Sequence, residues 1–155
     1  MGNYPELEID FIKRTMELIH QYYSELEKYP YEKQYNYTLI LNCMLGLIVM
    51  PKEKVISYVP NDRLTSDFKK QIGLDSSVID DDIKKLQSLI QGLRNSIAHF
   101  NINVISEDEK KRIDWIEFID SENDNKVIAK FRANEILPFL KHYSSSLLEN
   151  IKKYK

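Results

Sequence analysis

Four glycines, five prolines, one cysteine and one tryptophan among 155 residues leave several chemistries without their parts. Four scattered glycines build no glycine-rich phosphate loop. The lone Cys43 has no disulfide partner in the chain, which points to a reducing cytoplasm. Three histidines and that cysteine show no close metal-ligand spacing, so neither a metal nor a cofactor is expected. Charge of one sign is also missing. The 22 basic and 24 acidic residues leave a net charge of −2. That excludes coating nucleic acid by bulk charge, though not a local basic groove. Long hydrophobic runs are absent too. Leu39 to Met50, interrupted by Asn42, Cys43 and Gly46, is too short to cross a bilayer and reads as a buried core helix. The N-terminus lacks the basic region and apolar core of a signal peptide. Glu6 stands where myristoylation needs Ser or Thr.

What is present is ordinary for a globular chain: 43% hydrophobic and 30% charged residues. The length suits one domain, residues 1–155, able to bury about two-thirds of its unfolded surface. No internal repeat or low-complexity tract occurs. Ile9, Ile12, Met16, Ile19, Tyr23 and Leu26 recur at alternating spacings of three and four, predicting a helix from about Pro5 to Tyr29. Pro5 suits its first turn, and Glu6 and Glu8 suit the helix dipole. A second helix is expected from about Glu32 to Met50, ended by Pro51. Residues 51–76 read as a long connection, a possible lid or partner surface, with a short helix near Arg63 to Ile72.

Ile83, Leu86, Ile90, Leu93 and Ile97 predict a third helix from about Ser77 to His99, with Ser77 and Asp80 as a capping signal. The period then changes to two. Phe100 to Ile105, Ile113 to Asp120 and Val127 to Phe131 read as a three-stranded antiparallel meander, an insert over about 100–131. A last helix follows from about Asn134 to Lys153, with Pro138 tolerable near its first turn. The fold class is mainly α: an up-and-down helix bundle with a small β-meander before the C-terminal helix.

Residues suited to catalysis cluster in Arg94-Asn95-Ser96-Ile97-Ala98-His99, at the end of the third helix. Asn95 and His99 are four apart and share a face pointing away from the apolar stripe. Arg94 flanks the stripe and, five residues from His99, does not stack on it. The helix C-terminus favours a cation, which suits a histidine placed for proton transfer. Arg94 offers a planar fork to phosphate. Such a set can cleave RNA without a metal: His99 moves a proton at the ribose 2′-OH or the leaving oxygen, and Arg94 steadies the charge growing on phosphorus. Asn95 orients His99 or bonds the phosphate. One chain supplies one histidine, whereas base and acid are both needed, so two copies facing each other complete the site. The blander account is also physical. A histidine near a helix end is often a favourable cap, and an arginine beside a core stripe often snorkels.

Arg94-Asn95-x3-His99, late in a helix of a small bundle, resembles the motif of the HEPN superfamily. Leu41-Asn42-Cys43-Met44-Leu45-Gly46-Leu47-Ile48-Val49-Met50-Pro51-Lys52-Glu53 resembles the second helix of a plasmid-type HEPN subfamily. In that subfamily Arg-Asn-x-Ile-Ala-His precedes a strand-rich insert and a final helix, the order found here over most of residues 5–150. The resemblance implies an all-α bundle that dimerises through the motif face. In many members it implies metal-independent endoribonuclease activity, often as a toxin or in phage defence, with an antitoxin or immunity protein as a possible partner. Arg94, Asn95 and His99 carry over by position. Some members are inactive or act as binding modules, so the alternative is a non-catalytic module for a nucleotide, RNA or a protein. A structural or immunity-type partner with an accidental motif is a third reading.

Other polar residues have plainer accounts. His20 and His142 read as surface or boundary residues. Asp80-Asp81-Asp82 reads as an acidic helix start, Asn42 as a structural polar residue, and the tyrosines Tyr22, Tyr23, Tyr29, Tyr31, Tyr35 and Tyr37 as packing between the first two helices rather than base stacking. Lys110-Lys111-Arg112 and Lys152-Lys153-Tyr154-Lys155 read as solvated surface.

Overall fold

The computed structural model describes residues 3–49, 55–107 and 112–155. Helix α1 (Leu7–Glu25) starts just after the expected Pro5, with Glu8 and Asp10 in its first turn. Its predicted stripe is its buried face. Ile9, Ile12 and Ile19 are buried, and Met16 and Tyr23 pack against the core from the edge. The helix tightens into a 3-10 turn, Leu26–Lys28, and Tyr29 takes the extended geometry that Pro30 imposes on the residue before it.

Helix α2 (Asn36–Met44) begins later than Glu32, after a separate 3-10 turn at Tyr31–Lys33. It runs on as a π-helical turn, Leu45–Val49. The expected stop at Met50-Pro51 lies outside the described residues. Ile40, Cys43, Met44, Leu47 and Ile48 are buried, as the apolar run requires. At Gly46 the turn closes on α1: a Cβ there would stand 3.0 Å from the Phe11 ring. Asn42 is exposed and donates to the Thr38 carbonyl at 2.9 Å, within its own helix.

In the long connection, α3 (Ser66–Gln71) forms where a short helix was expected, and the Thr65 hydroxyl accepts the Phe68 N–H at its start. The next helix departs from expectation. It begins at Leu86, not Ser77, giving α4 (Leu86–Ala98), while Val78–Ile79 form a short strand, β1. Distant partners decide this. The Ser77 N–H and hydroxyl donate to Glu135, its hydroxyl oxygen accepts the Arg132 N–H, and the Asp80 N–H donates to the Ile128 carbonyl. These bonds, together with β-branched Val78 and Ile79, outweigh one more helical turn. The Asp80-Asp81-Asp82 run therefore turns the chain instead of opening a helix. Lys126 Nζ meets it, 2.8 Å from Asp80 and 2.6 Å from Asp82.

The meander is present as β2 (Ile102–Ile105), β3 (Trp115–Asp120) and β4 (Lys126–Arg132). With β1 on the outer edge of β4, the sheet has the antiparallel order β1-β4-β3-β2. Phe118 pairs with Ala129 and Ile116 with Phe131, and all four are buried. A bulge beyond Phe118 leaves Ile128 unopposed and turns it onto α4. A Cβ at Gly92 would come within 2.7 Å of Ile128 Cδ1, so that terminal methyl would have to move aside.

Helix α5 (Ala133–Tyr154) closes the fold. Pro138 falls in its second turn, where its missing N–H leaves the Asn134 carbonyl without a helical donor. A ladder of rings joins sheet to helix. Phe118 and Phe131 have centroids 5.2 Å apart, Phe131 and Phe139 5.4 Å, and Phe139 and Tyr143 6.2 Å. Burial pushes the Tyr143 hydroxyl pKa upward. The architecture is the mainly α one expected, with the sheet set before the last helix. Among the described residues, no helix is long and apolar enough to cross a membrane.

Candidate active site

The buried face of α4 is Leu86, Leu89, Ile90, Leu93, Ser96 and Ile97, packed on the π-helical turn and on β3 and β4. That burial fixes where the motif residues lie. Asn95 and His99 are exposed, on the side opposite the core, and Arg94 is half-buried. The Arg94 Nε is buried and has no hydrogen-bond partner among the described residues. A buried donor left unpaired costs about 1–3 kcal/mol.

His99 caps α4, and the chain leaves through a Schellman turn. The Phe100 N–H donates to the Ile97 carbonyl at 3.1 Å, and the Asn101 N–H to the Ser96 carbonyl at 2.8 Å. The residue between those bonds must be left-handed, and it is Phe100, at φ +56°. Glycine is the usual residue there; a bulky L side chain costs about 1–2 kcal/mol more. Phe100, expected to open a strand, instead sits in this turn before β2 and is 84% exposed.

A clamp holds this corner to the sheet. Ser96, 1% exposed, donates through Oγ to the Asn101 carbonyl at 2.7 Å and accepts the Ile119 N–H at 3.0 Å. That same N–H also reaches the Asn101 carbonyl at 3.0 Å, and Asn101 Nδ2 donates to Ser121 Oγ at 2.8 Å. Ser96 and Asn101 escape a reading aimed at reactive groups. Their one signal is a serine on the apolar stripe, between Leu93 and Ile97, which must find bonds once buried.

The other singled-out residues do not join the motif. His20 is exposed on α1. His142 lies on α5, with Nε2 3.3 Å from Ser146 Oγ and its ring edge-on to Phe68. Cys43 is buried, and burial raises its thiol pKa, so it is no ready nucleophile. Among the described residues no group of three or more His, Cys, Asp or Glu is placed to hold a metal. The tyrosines divide. Tyr22 and Tyr23 meet edge-on, and the Tyr22 hydroxyl oxygen accepts the Tyr35 N–H at 2.6 Å. Tyr29, Tyr31 and Tyr35 are exposed, which corrects their reading as packing between helices. Tyr31 and Tyr37 instead line an open polar cavity of about 730 Å³ with Asn36, Arg112, Asp114 and Arg132. It sits at the far end of β3 from the Ser96 clamp, about 17 Å along the strand. Arg132 is committed there to structure, 3.9 Å over the Trp115 ring and 3.6 Å from Glu107. Lys110 and Lys111 lie outside the described residues, and Lys155 is paired with Glu6 and Glu8.

A helix bundle carrying a small antiparallel sheet before its last helix is the architecture of a domain of the HEPN type. The chain belongs to the family described as HEPN pEK499 p136, whose model matches residues 1–154. No curated protein and no solved structure matches it.

Proposed function

We propose that the protein is a metal-independent endoribonuclease of toxin or phage-defence type, working as a homodimer through the face that carries Arg94, Asn95 and His99. The observation that carries this reading is the state of those side chains. A half-buried arginine with an unpaired Nε lies five residues before an exposed histidine at the end of α4, in a chain of the HEPN family. In the reaction, His99 of one protomer takes the proton of a ribose 2′-OH. The 2′-oxygen attacks phosphorus and the bond to the 5′-oxygen breaks. The partner's His99 gives that oxygen a proton. Arg94 stabilises the added negative charge on the phosphoryl oxygens, and Asn95 orients the imidazole or the phosphate. The products are a 2′,3′-cyclic phosphate and a 5′-hydroxyl, with no electron transferred and no cofactor consumed.

Purified protein is expected to cut RNA in EDTA, and His99→Ala to fold normally while losing the cleavage. Exposed His99 makes that variant structurally mild. Equal cleavage by both proteins would refute the assignment. Binding of RNA without product, lost in Arg94→Ala, would establish a non-catalytic module instead.

A further inference from the structure

We propose that the outer edge of β2 pairs with the same edge of a second copy of this chain, antiparallel about a two-fold axis at Asn103, joining two four-stranded sheets into one. The contact is separate from the motif face and does not rest on the endoribonuclease reading. β2 ends the order β1-β4-β3-β2, so one side of it has no partner strand. Its alternation is fixed at both ends. The Asn101 carbonyl accepts the Ile119 N–H at 3.0 Å, and the Ile105 carbonyl accepts the Asp114 N–H at 2.9 Å. Asn101, Asn103 and Ile105 therefore turn their main-chain groups toward β3, and Ile102 and Val104 turn theirs outward. Those two N–H and two C=O groups have no partner among the described residues.

The two edges of the sheet are built differently. β1, at the other edge, is two residues long and runs straight into Asp80-Asp81-Asp82, the short, charged form that keeps an edge from pairing. β2 carries no such device. From Asn101 to Ser106 there is no charge, proline or glycine. Val104 lies beside buried Ile116 on the helix side of the sheet, yet it is 51% exposed, because α4 packs on β3 and β4.

A second copy fits this edge because the edge is its own complement. With the axis at Asn103, Ile102 faces Val104 of the copy and Val104 faces its Ile102, so every outward donor meets an outward acceptor. An axis at Ile102 or at Val104 would match only one of those two residues within the strand. The side chains agree. Ile102 and Val104 meet as apolar pairs on the helix side, and Asn103 meets its own copy on the other, amide to amide. Charge agrees too. The paired stretch carries none, so no like charges meet at the axis, where a charged strand would repel itself. Because the strands run antiparallel, the two His99 corners, each before its own strand, are carried to opposite ends. The stretch is short and makes a weak class of contact, so association is read at high protein concentration.

The test uses the full chain at up to about 1 mM, with amide hydrogen exchange read by NMR and association by sedimentation. The Ile102 and Val104 amides are expected to be protected at the highest concentration. Val104→Pro removes an outward N–H that β3 does not use, so the strand tolerates it. It acts twice across the axis and is expected to weaken association about 10- to 100-fold. Cysteine variants fix the register without proline. Across the axis the two Asn103 Cα atoms stand about 4.5 Å apart, within reach of a disulfide, whereas the two Val104 Cα atoms stand about 8 Å apart, beyond it. Asn103 and Val104 are both exposed, and the native Cys43 is buried. Under diamide, Asn103→Cys is expected to form a covalent dimer and Val104→Cys to stay monomeric. Equal cross-linking of the two variants, or fast exchange at both amides up to the highest concentration, would overturn the proposal and leave the nuclease reading intact. So would association of folded Val104→Pro within twofold of wild type, which would put the contact elsewhere.

Discussion

Ser96→Ala is the sharpest structural perturbation of the proposed site, because it removes one oxygen and leaves every motif side chain in place. The hydroxyl makes two bonds, to the Asn101 carbonyl at 2.7 Å and from the Ile119 N–H at 3.0 Å. Each neutral bond contributes about 0.5–1.5 kcal/mol. The cost does not rise to that of orphaned groups, since the Ile119 N–H keeps the Asn101 carbonyl at 3.0 Å. Alanine returns roughly 0.5 kcal/mol through its helix propensity. The net loss is about 1–2 kcal/mol, which lowers Tm by about 3–6 °C for a chain of this length. Urea unfolding at neutral pH measures it as a lower midpoint with unchanged slope. The same variant is expected to cut RNA more slowly at temperatures where it is fully folded, because the corner bearing His99 is no longer clamped to β3. An unchanged midpoint with unchanged cleavage would refute the clamp.

Two further perturbations follow from the contacts of Glu135 and Asp80. Glu135 accepts the Ser76 N–H at 2.8 Å, and the Ser77 N–H and hydroxyl at 2.9 and 2.6 Å. Glu135→Ala is therefore expected to cost about 2–4 kcal/mol and to release β1 from α5, read as faster hydrogen exchange at Val78 and Ile79. The hydrogen bond from Lys126, with the Asp82 N–H, holds the Asp80 carboxyl below the usual aspartate range. A depressed folded-state pKa adds stability that is complete above the unfolded value, about 3.9, and fades as pH falls through the folded value. Asp80→Asn is expected to flatten the acid limb of urea midpoint against pH without altering its slope near pH 7. An unaltered acid limb would contradict this.

Much of the molecule could be read from periodicity, because the decisive contacts are local. Ile9, Ile12 and Ile19 face the core of α1 as their spacing demands, and Leu86, Ile90, Leu93 and Ile97 do the same for α4. The reading fails where long-range partners outweigh local pattern. Ile83 continues the helical spacing, yet the preceding segment is drawn into the sheet by Ile128 and tied by Glu135, neither of which is near in sequence. Phe100 fits a strand alternation, but the Schellman bonds of α4 claim it first. Arg94, Asn95 and His99 stand out in the sequence because their chemistry is visible in the residue types. Ser96 and Asn101 do not, since their role exists only once β3 lies beside the helix end.

The central claim is that this corner breaks RNA through the ribose 2′-hydroxyl. The most direct measurement is cleavage in EDTA of an RNA and of its counterpart carrying a single 2′-deoxy substitution at the mapped cut, with the product ends analysed. The account predicts 2′,3′-cyclic phosphate and 5′-hydroxyl ends from the RNA and no cut at the deoxy position. Cleavage at the deoxy position, or 5′-phosphate ends, would contradict it.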